Sequence, residues 1–144
     1  MTPDATDWEI INALSEHHVA NTELARLLGV SEATVRQRIK KLQDAGILKI
    51  RALRDPNRLS DQQMALVGVS VAEARLLDEK AREIAELDHV LTTAITSGQY
   101  DIMIEVLVDS NKGLISFLTE ELSKVEGLAR TETFVLLRTY NKWI

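Results

Sequence analysis

Asn21-Thr22-Glu23-Leu24-Ala25-Arg26-Leu27-Leu28-Gly29-Val30-Ser31-Glu32-Ala33-Thr34-Val35-Arg36-Gln37-Arg38-Ile39-Lys40-Lys41-Leu42 reads as two amphipathic helices separated by three residues. Asn21 or Thr22 caps the first helix, and Leu24, Leu27 and Leu28 face inward. Gly29 ends it, because a helix stop commonly needs a residue in the left-handed region. Ser31 caps the second helix, whose inner stripe is Val35, Ile39 and Leu42, at i, i+4 and i+7. Gly46 closes that helix. A short Gly-containing turn between two such helices is the helix-turn-helix pattern. Upstream, Thr6 or Asp7 caps a further helix with Trp8, Ile11 and Leu14 on one face and Trp8 as a core anchor; His17-His18-Val19-Ala20 breaks it.

With Val35, Ile39 and Leu42 turned to the core, the opposite arc of the same helix holds Ala33, Gln37, Lys40, Lys41 and Asp44. Thr34 and Arg36 lie on its flanks. Small Ala33 permits close approach to a groove, Thr34, Arg36 and Gln37 can reach base edges, and the Arg and Lys residues further along can pair with phosphates. The candidate DNA-binding set is therefore Ser31, Glu32, Ala33, Thr34, Arg36, Gln37, Arg38, Lys40 and Lys41. Arg38 sits near the edge of the buried stripe, so a structural ion pair is its alternative role. Charge supports a single docking face. The chain has 144 residues and a net charge of -5, with 17 Lys+Arg against 22 Asp+Glu. Residues 36–58 nevertheless carry eight basic side chains against Asp44 and Asp55 alone, and both flanking regions are acidic. A polyanion would be attracted to that band and repelled elsewhere.

After Gly46 the period changes. Ile47-Leu48-Lys49-Ile50-Arg51-Ala52-Leu53 reads as a short strand, and Arg54 to Arg58, with Pro56, as a turn. Beyond it come a strand over Met64–Ala72, a helix over Leu76–Leu87 with Leu77, Ala81, Ile84 and Leu87 inward, and strands over Leu91–Ser97 and Asp101–Val108. A helix with Leu114, Ile115, Leu118 and Leu122 inward follows, and then a strand over Thr131–Thr139. The fold class is α+β: a winged helix-turn-helix domain at residues 1–50, a linker at 51–62, and a ferredoxin-like βαββαβ domain at 63–144. Two helices cover one face of such a sheet. Met64, Leu66, Met103 and Leu107 fall on the other, which predicts self-association through it. A two-fold dimer would present paired reading helices to a palindrome with half-sites roughly 34 Å apart or a multiple.

Several chemistries are excluded. With no cysteine, thiol catalysis, disulfides and Cys-ligated zinc are out. His17 and His18 are adjacent, so their side chains diverge, and His89 stands apart. Asp101 and Glu105 share a strand face but lie roughly 13 Å apart at Cα, too far for a glycosidase pair. No phosphate-binding glycine motif is present. The expectation is a non-enzyme with no metal, no catalytic residues and no cofactor. The Met1–Asp4 opening does not read as a signal peptide and no apolar run spans a membrane, so a cytoplasmic location is expected.

The chain resembles the Lrp/AsnC, or feast/famine, family of transcription regulators over essentially its whole length. The likeness rests on Asp7, Ile10-Ile11 and Leu14; on Thr22-Glu23-Leu24-Ala25 with Leu28-Gly29-Val30-Ser31; and on Val35 to Ile39 with Leu42 and Gly46-Ile47-Leu48. It continues through Asp55-Pro56, Gly98-Gln99-Tyr100-Asp101 and Glu126 to Thr133. The resemblance implies double-stranded DNA as partner and an effector-binding, oligomerising RAM domain. It also implies a homodimer assembling into octamers or other multiples, and a small amino acid as effector. It places Gly98, Tyr100 and Asp101 in the effector pocket, with Ser97 and Thr133 as further candidates. Read from the residues alone, the same segment is a β-turn in which Gly98 supplies an unusual dihedral and Asp101 caps. Sirohaem decarboxylases resemble the family in architecture and form the enzyme alternative. An oligomer that binds ligand but no DNA is the other.

Overall fold

The computed structural model describes residues 1–144, which fall into two compact units, Met1–Ala52 and Leu53–Ile144.

The first unit holds helices α1 (Ala5–Glu16), α2 (Asn21–Leu28) and α3 (Glu32–Asp44). Their shared core is Ile10, Val19, Leu24, Val35 and Ile39, with Leu42 also fully buried. The α3 stripe is buried as the i, i+4, i+7 spacing requires. Gly29 ends α2 at φ 65 and Gly46 follows α3 at φ 68, so both stops use the left-handed region.

Five expectations for this unit are corrected. Trp8 is 53% exposed rather than a core anchor. The N-cap of α1 is Asp4 rather than Thr6 or Asp7, and the arc that turns inward carries Asp7, Ile10, Ala13 and Leu14. A polar residue in the buried arc hid its true phase. In α2, Leu27 is 61% exposed and Leu24 and Leu28 supply the contact, because a two-turn helix presents only a narrow inner arc. That helix starts behind Ala20 with no side-chain cap, not behind Asn21 or Thr22. Residues 47–53 form no strand. The Ile47 and Leu48 N–H groups both bond to the Leu42 carbonyl, closing the end of α3, and an isolated strand would leave its remaining backbone groups without ladder partners.

The second unit holds β1 (Gln63–Val71), α4 (Leu77–Ala85), β2 (Val90–Ile95), β3 (Ile102–Val108), α5 (Asn111–Ser116) and β4 (Leu128–Leu136). The strands form one antiparallel sheet in the order β2-β3-β1-β4, the ferredoxin-like arrangement. Ala65, Val67 and Val69 of β1 stand opposite Val106, Ile104 and Ile102 of β3. They bury beneath Ala81, Ile84, Leu114, Phe117 and Leu122. The α5 helix passes into a π-helical turn over Phe117–Glu121. Phe117 fills the core there, while Ile115, expected inward, is exposed. Leu77 and Leu87 flank the core as read from the sequence.

Alternation places Met64, Leu66, Gly68 and Ser70 of β1 on the opposite sheet face, with Met103, Glu105 and Leu107 of β3 and Glu132, Phe134 and Leu136 of β4. The C-terminal segment reaches this face: Lys142 Nζ lies 2.7 Å from the Glu105 carboxylate. The Arg54 and Ile144 backbones exchange a reciprocal pair of hydrogen bonds of 2.9 and 3.0 Å. No helix of either unit is long and apolar enough to cross a membrane.

Candidate nucleic-acid interface and ligand turn

The outer face of α3 begins at a well-made cap. Ser31 Oγ accepts the Thr34 N–H at 3.1 Å and lies 2.8 Å from Thr34 Oγ1. Both hydroxyls therefore belong to the start of the helix, which limits what Thr34 can offer a base. Arg36 pairs with Glu32 at 2.6 Å, and Lys40 with Asp44 at 2.8 Å, each four residues apart along the helix. Such exposed pairs contribute little, about 0–1 kcal/mol, so a phosphate can displace the carboxylate. Ala33, Gln37 and Lys41 are exposed, and neither Gln37 nor Lys41 has a side-chain partner. Nothing within the chain competes for them.

Arg38 is placed differently from the rest of its candidate set. Its Nη1 donates to Asp4 Oδ2 at 2.7 Å and to Asp7 Oδ1 at 2.8 Å, so its guanidinium spans from α3 to the start of α1. The Arg38 hydrogen bond holds the Asp4 carboxyl below the usual carboxylate range, and Asp4 in turn raises Arg38. The structural ion pair is the arrangement found. Asp4 and Asp7 escaped the sequence reading as partners because they lie 34 and 31 residues away. Their only local sign was the Asp-x-x-Asp spacing of a capping box.

Of the remaining basic band, Lys49 and Arg51 are exposed in the first unit, and Arg54 and Arg58 are exposed in the second.

In the second unit, residues 96–101 link β2 to β3. The Asp101 N–H donates to the Val69 carbonyl at 3.0 Å, and Asp101 Oδ2 accepts the Val71 N–H at 2.9 Å. The carboxylate thus caps the end of β1 and keeps its other oxygen available. Thr96 Oγ1 donates to the Tyr100 carbonyl. Ser97, Gly98 and Gln99 are exposed. The dihedral expected of Gly98 is not found, since the only glycines with positive φ are Gly29, Gly46 and Gly127.

Tyr100 turns back over the sheet. A Cβ on Gly68 would stand 2.5 Å from its ring, the Phe134 ring is 6.3 Å away edge-on, and its hydroxyl donates to Glu132 Oε2. Thr133 pairs with Val67 and so points to the helix-covered face, opposite Tyr100. Ser97, Gly98, Tyr100 and Asp101 are therefore brought together by one turn, and Thr133 is not placed with Tyr100. Gly68 and Glu132 were not singled out from the sequence. A glycine inside an apolar strand is the signal that something approaches the backbone closely. No group of three or more His, Asp or Glu side chains is placed to hold a metal ion.

Comparison with known proteins gives a consistent result. Residues 64–142 match the Lrp/AsnC ligand binding domain, and residues 3–49 match a winged helix-turn-helix DNA-binding domain. An uncharacterized HTH-type transcriptional regulator of Pyrococcus furiosus is 38% identical over 142 residues, covering 97% of this chain and 95% of the relative. The structure of Escherichia coli AsnC superposes with a TM-score of 0.70 at 28% identity, covering 96% of this chain and 95% of that one. A Neisseria meningitidis transcriptional regulator solved as a complex with L-Met superposes with a TM-score of 0.70 at 25% identity, covering 95% and 91%. The curated relatives carry the names of transcriptional regulators, not of enzymes.

Proposed function

Because the chain belongs to the Lrp/AsnC family of transcriptional regulators, we propose that it reads a palindromic operator with α3, as a dimer whose assembly is biased by a small amino acid. The observation that carries the DNA part is the outer face of α3: Ala33, Gln37 and Lys41 are exposed, with no side-chain partner in the chain, beside two ion pairs that a phosphate can open. Gln37 and Arg36 are assigned to base edges, Lys40 and Lys41 to phosphates, and Ser31, Glu32 and Thr34 to holding the start of the helix. Lys49 and Arg51, with Arg54 and Arg58, add salt-sensitive attraction.

The effector is assigned to the turn after β2. The exposed backbone N–H groups around Gly98 suit a carboxylate, and the free oxygen of Asp101 suits an ammonium group. The Neisseria relative crystallised with an amino acid supports this class of ligand. The dimer is assigned to the open sheet face, where Leu66, Met103 and Leu107 are only half-buried and Phe134 is 43% exposed. Octamers or other multiples of the dimer would follow from further contacts between copies. We assign DNA reading to residues 1–50, a connection to residues 51–62, and ligand binding and oligomerisation to residues 63–144.

A gel-shift series on duplexes selected from a randomised pool tests the DNA assignment. Gln37→Ala is expected to lose about 1–3 kcal/mol at one base position and to leave the others unchanged. Equal affinity of parent and variant for every duplex would remove α3 as the reader. A thermal-shift screen against the twenty amino acids, with light scattering, tests the effector. Asp101→Asn should abolish any shift that the parent shows.

A further inference from the structure

We infer that Arg38 is a positioning residue for DNA reading, clasped by Asp4 and Asp7 so that α3 presents Gln37 and Lys41 at a set angle, and that it is not itself a phosphate contact. The inference rests on the proposed docking of α3.

Four hydrogen bonds close the clasp, and each carboxylate oxygen takes one. Asp4 Oδ1 accepts the Asp7 N–H at 2.9 Å, Asp7 Oδ2 accepts the Asp4 N–H at 3.1 Å, and the two remaining oxygens accept from Arg38 Nη1. One cluster thus caps α1 and ties it to the middle of α3. These are the only ion pairs in the first unit that join two helices, since Arg36–Glu32 and Lys40–Asp44 both lie within α3. The Asp7 side chain is 4% exposed, and Arg38 is the one cation paired with it, so removing either partner leaves a charge without its counterpart.

The groove of ≈ 300 Å³ beside the clasp is lined by Asp4, Asp7, Thr34, Gln37, Arg38 and Lys41. Two of the residues assigned to DNA therefore stand against the clasp itself. Rotation of α3 about its axis would move Gln37 and Lys41 together, and the clasp opposes that rotation. Electrostatics argue against a phosphate at Arg38: two carboxylates share its one positive charge, so an approaching phosphate meets a net negative cluster. The depressed Asp4 and raised Arg38 are what such a closed arrangement produces.

The test uses the full chain and a duplex selected from a randomised pool on the parent. Binding is followed by fluorescence anisotropy across a salt series, at a temperature where circular dichroism shows every variant folded. Asp4→Asn keeps an N-cap oxygen but removes a charge from the clasp. It should weaken binding about 2-fold to 5-fold, the range of a half-exposed ion pair, although it deletes a negative charge beside the DNA face. Arg38→Met should weaken binding further with the salt slope within about 0.3 of the parent, and Arg38→Lys should restore part of the loss. A purely structural pair would leave affinity unchanged at that temperature.

Tighter or unchanged binding by Asp4→Asn overturns the inference. So does a salt slope reduced by about 0.9 in Arg38→Met, the signature of one lost phosphate contact. If Arg38→Met does not fold, Asp4→Asn decides alone. A parent that binds no duplex overturns the docking of α3, and the Arg38 role falls with it. A parent whose binding depends on Lys41, combined with tighter binding by Asp4→Asn, overturns the Arg38 role alone.

Discussion

Gly68 has no side chain, and the Tyr100 ring lies where one would stand. A methyl group there would meet three ring carbons at 2.5 to 2.9 Å, so either the ring or the strand must move. Gly68→Ala is expected to destabilise the second unit by about 1–3 kcal/mol, the usual cost of overpacking, as read by urea denaturation. Asp4 gives a prediction in pH. Its native carboxyl is held below the ordinary range by the Arg38 hydrogen bond, so the native state binds fewer protons than the unfolded chain. That stabilisation is fully present above the ordinary carboxylate value of about 4 and is lost as pH falls through the lowered native one. Thermal melts taken downward from about pH 5 should show an acid-induced loss in the first unit that is flatter in Arg38→Met. Neither contact could be read from the chain. Gly68 and Tyr100 are 32 positions apart, and only the pairing of β1 with β3 brings them together.

The third helix of the DNA-binding unit, α3, is the most legible element. Its cap, its inner stripe and its glycine stop are all local, and local rules set them: Ser31 accepts the Thr34 N–H, Val35, Ile39 and Leu42 are buried, and Gly46 adopts φ 68. Ser31→Ala should cost about 1 kcal/mol of stability, measured by denaturant unfolding, because one N-terminal N–H loses its acceptor. Lys41→Ala should weaken binding to all duplexes alike and reduce the salt slope by about 0.9. Other elements were legible in type but not in detail. The segment after Gly46 has strand-like composition, but its first N–H groups finish α3 instead. In α5 Ile115 follows directly on Leu114, about 100° round the helix, and is exposed, whereas Phe117, three residues past Leu114 and back on its side, enters the core.

For the whole molecule, the open face of the sheet makes the largest prediction. Leu66→Glu would put a charge on that face without entering the helix-covered core. Sedimentation velocity should then show a shift toward monomer, with DNA affinity reduced because two half-sites are no longer read together. An unchanged sedimentation profile would overturn the proposed dimer contact on this face. The antiparallel strand order β2-β3-β1-β4 follows the βαββαβ reading, because short connections and right-handed crossovers leave few other ways to arrange four strands and two helices.

By itself the sequence determined the helix-turn-helix, the order of elements in the second unit, the inner stripe of α3 and the basic band around it. Each is a matter of period, capping or composition, and those act between residues a few positions apart. Only the tertiary structure decided that Arg38 belongs to Asp4 and Asp7, that Tyr100 lies on Gly68 beside Glu132, and that Thr133 faces the other side of the sheet. Those outcomes depend on which distant side chains packing brings within a few ångströms. A charge or a hydroxyl takes the nearest partner in space, whatever its place along the chain.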